Sequence, residues 1–139
     1  MTTVDDTLKD MLRTHPGGKG ALDEDLIARC VEECDRCARA CTACADACLA
    51  EGEVERLAAC IRLDLDCADV CDVTARLVSR YTPDSADLTR AQVEACALAC
   101  AACAAECERH AGAHEHCRLC AEACRACERA CSDLLAAGL

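Results

Sequence analysis

Aromatic side chains are almost missing from the 139-residue chain: it has no phenylalanine, no tryptophan and a single tyrosine, Tyr81. A core built without them must consist of small and medium side chains. Proline is nearly as scarce, with Pro16 and Pro83 alone, and the six glycines fall outside the periodic segments. No stretch approaches the run of about eighteen apolar residues that a membrane span needs, so no membrane association is expected. The N-terminus, MTTVDDTLKD, has no basic region followed by an apolar run. No secretory signal is read there, and the chain is expected to remain in the cytosol. Basic residues are outnumbered, 15 Lys and Arg against 26 Asp and Glu, for a formal net charge of −11. A nucleic-acid partner would call for a basic patch, and none is present. The acidity suits a soluble protein that mildly attracts cations.

What the chain has in excess is cysteine, 18 residues of 139. In a small secreted protein such a count marks a disulfide framework; in a reducing cytosol it points to metal or catalysis. Bridges between neighbours on one helix would close loops of only a few residues and constrain the unfolded chain little.

The punctuation predicts an all-α fold. Residues 4–14 form a short amphipathic helix through Val4, Leu8, Met11 and Leu12, broken by HPGGKG at 15–20. Asp23 is the N-cap of a helix from about Glu24 to Ala50, with Glu24 and Asp25 in its first turn. A second bundle helix runs from about Val54 to Arg80 and is ended by Tyr81-Thr82-Pro83-Asp84. A third starts between Ser85 and Arg90, where Thr89 and Gln92 read as a capping box, and ends near Gly112. The fourth spans about His114 to Ala136. Short connections make neighbours antiparallel, giving an up-down-up-down four-helix bundle over residues 21–139, preceded by a helix and Pro/Gly linker over 1–20.

Every cysteine lies on a core stripe. The first bundle helix carries Cys30, Cys34, Cys37, Cys41, Cys44 and Cys48, and the second Cys60, Cys67 and Cys71. The third carries Cys96, Cys100, Cys103 and Cys107, and the fourth Cys117, Cys120, Cys124, Cys127 and Cys131. Steps of three and four are those of heptad a and d positions; the chance that all eighteen comply at random is on the order of 10⁻⁸. A buried cysteine can be a mere small hydrophobe. Eighteen are not, because Ala, Val or Leu would pack as well without the oxidation hazard.

Counting residues along the axis from the end where the first two bundle helices join places Cys48, Cys107 and Cys117 in the top rung. Cys44, Cys60, Cys103 and Cys120 follow, then Cys41, Cys100 and Cys124. Below lie Cys37, Cys67, Cys96 and Cys127, and lowest Cys30, Cys34, Cys71 and Cys131. Neighbours at i,i+3 and i,i+4 are about 5–6 Å apart at Cβ, within reach of a shared ion. Structural zinc and iron–sulfur clusters take four thiolates in other spacings. Thiolate-only surroundings suit cuprous copper. One Cu(I) per thiolate also leaves the tube neutral, whereas four thiolates per Zn²⁺ bury two negative charges. The expected cargo is many Cu(I) ions, up to about one per cysteine, and so many sites mean storage or buffering.

The two ends of the stripes differ. Ile27, Thr74, Val78, Val93 and Leu134 form a mostly aliphatic plug at one end. At the other, ERHAGAHEHC places His110, His114 and His116 beside Cys107 and Cys117, as ligands or uptake residues. Asp64 is the one carboxylate in a cysteine slot and needs a partner or a metal.

With its repeated CxxxC and CxxC steps, such as Cys30/Cys34/Cys37/Cys41 and Cys117/Cys120/Cys124/Cys127, the sequence resembles the bacterial copper storage proteins over residues 23–136. The absence of a signal, the short extra N-terminal helix and the mouth histidines are similar to the cytosolic branch of that family. The resemblance implies Cu(I) bound mainly by cysteine pairs, no catalysis and a homotetramer. It also matches Asp64 and the histidines to positions at or near the opening. The second bundle helix carries only three cysteines, so its side of the tube is thinner in ligands. A zinc or general thiol-metal buffer and a thiol redox reservoir are the alternatives. A di-iron enzyme bundle is excluded by the absence of Glu-x-x-His pairs.

Overall fold

The computed structural model describes residues 3–139; the side chain of Val4, expected on the apolar face of the first helix, lies outside the described residues. The element order is α1 (Val4–Thr14), α2 (Glu24–Leu49), a 3-10 turn (Val54–Leu57), α3 (Ala58–Ser79), a 3-10 turn (Pro83–Ser85), α4 (Ala86–His110) and α5 (Glu115–Ala136). Helix α2 packs on α3 and α5, and α4 packs on the same two, which gives a square four-helix bundle with antiparallel neighbours. No helix among the described residues is long and apolar enough to cross a membrane.

Helix α2 starts as its residues dictate. The Asp23 carboxylate accepts from the backbone N–H of Asp25 (2.8 Å) and of Leu26 (3.1 Å), satisfying two of the free donors of the first turn. Among the described residues, helix α1 packs chiefly on α2. Leu8 and Leu12, one turn apart, are buried, whereas Met11 is 63% exposed, contrary to the expected apolar face. A single flanking helix covers one i,i+4 row, and Met11 falls outside it. Arg13 clamps Glu24 at 2.6 and 2.9 Å, and Lys9 meets Asp25 at 2.8 Å.

One expected helix start and one expected cap are corrected. The second bundle helix begins with a 3-10 turn, because Glu53 supplies no side-chain cap, and the α-helix proper starts at Ala58. The third bundle helix starts at Ala86, within the expected range, but the Thr89–Gln92 capping box does not form: the N-cap is Ser85, four residues earlier, and Thr89 is buried inside α4 with its hydroxyl unpartnered. Pro83, with its fixed φ, favours an earlier start. There Ser85 donates from its N–H (2.9 Å) and its hydroxyl (3.0 Å) to the Thr82 carbonyl. Gln92 crosses instead to α3, where its amide donates to the Thr74 hydroxyl at 3.0 Å.

The interior has two zones. All eighteen cysteines are buried and none is in a disulfide. At the end closed by the α3–α4 connection, Ile27, Thr74, Val78, Val93 and Leu134 are all buried, with Tyr81 beside them. The α2–α3 and α4–α5 connections meet at the opposite end.

Candidate metal centre

The thiols form one contact lattice along the bundle axis. Cys37 Sγ lies 3.7 Å from both Cys67 and Cys124, 3.8 Å from Cys41 and 4.0 Å from Cys100. Cys41 reaches Cys124 at 3.6 Å, Cys120 at 3.7 Å and Cys103 at 3.9 Å. Toward the closed end, Cys34 meets Cys127 at 3.6 Å and Cys96 at 3.8 Å, and Cys30 meets Cys131 at 4.0 Å. Several quartets have all four sulfurs within 4.8 Å of one another, among them Cys34/Cys71/Cys96/Cys127 and Cys44/Cys48/Cys60/Cys117. Three thiolates around an ion at bonds near 2.3 Å stand about 4 Å apart, so small sulfur movements suffice to admit ions throughout.

The rungs are shifted from those obtained by counting residues. Cys60 joins Cys44, Cys48 and Cys117 at the mouth and lies 3.5 Å from Cys107. Cys100 sits with Cys67 (3.8 Å) and Cys71 (3.7 Å), and Cys96 with Cys34 and Cys71, both at 3.8 Å. A helical Cα–Cβ bond tilts toward its own N-terminus, so antiparallel neighbours carry their sulfurs in opposite directions. Cys60 on α3 is drawn toward the mouth, and Cys107, Cys100 and Cys96 on α4 are drawn away from it.

Burial sets the acid–base character of the lattice. It pushes the Cys48 thiol up to about 12 and raises Cys117 as well. Deeper in, hydrogen bonds from Cys100 and Cys124 hold Cys37 toward the thiolate, while its neighbour Cys41 is pushed upward by Cys103 and Cys120. Asp64 is fully buried on α3, facing α4 and α5. Its Oδ1 accepts from Cys103 (3.1 Å), Cys120 (3.3 Å) and Cys107 (3.5 Å). Desolvation, with the hydrogen bond to Cys103 next, pushes its carboxyl up to about 9. An acid is thus built into the thiol lattice just inside the mouth.

The three histidines do not play equal parts. His116 Nδ1 lies 3.4 Å from Cys44 Sγ and 3.6 Å from Cys117 Sγ, so this ring touches the thiols. His114, the residue preceding α5, stacks on His116 with ring centroids 5.5 Å apart. His110 turns to Glu106 on its own helix, Nε2 to Oε2 2.8 Å. Cys107, expected beside a histidine, faces Cys60 and Asp64 instead. Burial lowers the pKa of His116, but its hydrogen bonds to Cys44 and Glu51 outweigh this and the net direction is upward.

Two carboxylates at this end escape the sequence reading. Glu51 Oε2 lies 2.5 Å from His114 Nδ1 and 3.4 Å from His116 Nε2. Glu106 was legible as the i−4 neighbour of His110. Glu51 was not, since only the meeting of two connections brings it to the histidines.

Similarity to known proteins follows the same geometry. The family described as copper storage protein matches residues 23–136. Ccsp from Streptomyces lividans, loaded with 10 copper equivalents, is 61% identical with a TM-score of 0.90, over 94% of this chain and 98% of that one. The cytosolic copper storage protein of the same organism, with five coppers, is 63% identical with a TM-score of 0.82, over 86% and 99%. The Cu(I)-bound copper storage protein Csp3 of Bacillus is 36% identical with a TM-score of 0.68, over 76% and 93%. No curated protein sequence matches the chain. With a cysteine-lined helical bundle and a family match spanning all four bundle helices, the chain belongs to the copper storage protein family.

Proposed function

We propose that the protein is a cytosolic store that holds many Cu(I) ions on the thiolates of its bundle core, up to about one per cysteine. The observation that carries this reading is the continuous lattice of eighteen buried, unbridged thiols. A single task needs one metal site, whereas a lattice serves capacity. Each Cu(I) that replaces a thiol proton leaves the tube neutral, so filling can proceed without accumulating buried charge. The copper-loaded Streptomyces and Bacillus relatives, the former described as cytosolic, support the choice of metal and compartment.

In this reading copper enters at the His114/His116 end, with His110 close by, and passes to Cys44 and Cys117. It then spreads past Asp64 toward Cys30 and Cys131, and the aliphatic plug limits loss at the far end. The preformed bundle loads without folding. The protein is a store and not a catalyst, and the homotetramer implied by the resemblance is its proposed assembly. Anaerobic titration of the reduced protein with Cu(I) against a competing chelator tests the reading. Binding near one ion per cysteine with helicity unchanged is expected; saturation at one to four ions would sink it.

The cysteine quartets favour a second reading, a zinc buffer, because four sulfurs within 4.8 Å also suit a tetrahedral ion. Each such site leaves two net negative charges in the core. Excess Zn(II) is therefore expected to leave most thiols open to a thiol reagent, and protection of all of them would reverse the preference.

A further inference from the structure

Glu51 follows the end of α2, in the connection to α3, while His114 and His116 stand at the start of α5. Among the described residues, its carboxylate makes the only polar side-chain contact between these two connections, through His114 Nδ1 at 2.5 Å and His116 Nε2 at 3.4 Å. We infer that Glu51 is a positioning residue for copper transfer: it clamps the two histidines across the mouth and turns His116 so that Nδ1 faces the first thiols. The inference rests on the reading of this end as the copper route.

The geometry of an imidazole supplies the reason. Its two nitrogens lie on opposite sides of the ring, so fixing Nε2 on Glu51 aims Nδ1 at Cys44 (3.4 Å) and Cys117 (3.6 Å). Contacts of this length are ordinary for sulfur, so the ring is held between the thiols at Nδ1 and Glu51 at Nε2. The carboxylate restrains the ring from the side opposite the thiols, and such partners decide which ring nitrogen is offered to a metal. The same Oε2 holds His114, which stacks on His116 at 5.5 Å, so one carboxylate orders both rings. His110 is independent of this clamp, since Glu106 holds it within α4. Between the two arrangements lies an open cavity of about 410 Å³, lined in part by Glu51, Glu53, Arg56, His110 and His114. Glu51 stands on the wall of that cavity, where an arriving ion would meet the histidines.

The test is the rate at which Cu(I) leaves its coloured bicinchoninate complex for the reduced apoprotein, followed by stopped flow, together with the final capacity. Glu51→Ala is expected to slow transfer about 10–100-fold, with capacity and helicity unchanged. Glu51→Asp should restore part of the rate, and adding His114→Ala to Glu51→Ala should slow transfer little further. Nitrogen-15 shifts of the His116 ring should report one tautomer in the wild type and a mixture in Glu51→Ala. Wild-type rates in Glu51→Ala, while His114→Ala/His116→Ala is slow, would overturn the role of Glu51 alone. Wild-type rates in the double histidine variant would instead overturn the copper route, and the inference with it.

Discussion

Replacing Asp64 by Asn isolates the energetic burden of a carboxyl buried among thiols. The folded value of about 9 lies far above the ordinary 3.8, because the side chain is withdrawn from water. Between those two values the folded protein keeps a proton that the unfolded chain has released. The unfolded state therefore binds fewer protons, and stability falls as pH rises from about 4 to about 9. An interval of about five pH units, at about 1.4 kcal/mol each, sets a ceiling near 7 kcal/mol. Relaxation and water penetration reduce such figures in real proteins, so about 2–4 kcal/mol is expected at pH 8. The amide oxygen of Asp64→Asn can still accept from Cys103, Cys107 and Cys120, so the packing is retained. Urea unfolding of both reduced, metal-free proteins, followed by circular dichroism at pH 4.5, 6 and 8, reads the difference. The variant should gain on the wild type as pH rises, with the gap near zero at pH 4.5. A gap independent of pH would refute the assignment of a neutral, buried acid.

Copper loading displaces protons from thiols that burial holds up, such as Cys48 and Cys117. Apparent Cu(I) affinity at the mouth should accordingly fall about 100-fold per pH unit between pH 8 and 6 where two protons leave per ion, and a change below about threefold in chelator competition would contradict this. Thr89→Val removes a buried hydroxyl that has no partner and keeps its shape. It should be neutral or stabilising by up to about 2 kcal/mol in thermal melts, and a loss above about 1 kcal/mol would mean the hydroxyl is satisfied. Ile27→Ala opens the fully buried plug and should cost about 2–5 kcal/mol with Cu(I) capacity intact; a drop in capacity would tie the plug to binding.

The bundle itself was legible because several local signals agree. Steps of three and four between cysteines, the Asp23 cap, and the turn at Thr82-Pro83 are all read within a few residues, and each corresponds to a feature of the structure. The burial of all eighteen thiols and of Asp64 follows from the same periodicity. Where local signals competed, the surrounding chain decided between them. Thr89 and Gln92 have the spacing of a capping box, yet the chain was already helical after Pro83.

By itself, then, the sequence determined the helices, their buried faces and the chemical character of the core, because periodicity and side-chain type are properties of single elements. Tertiary structure alone decided what depends on two elements at once. Which sulfurs share a rung depends on the axial offset of antiparallel helices and the opposite tilt of their Cβ atoms, and no spacing within one helix encodes either. That Cys60 meets Cys107, that His116 and not His110 touches the thiols, and that Glu51 reaches across to His114 are consequences of packing. They arise where chain ends of different helices meet, between residues far apart in the sequence.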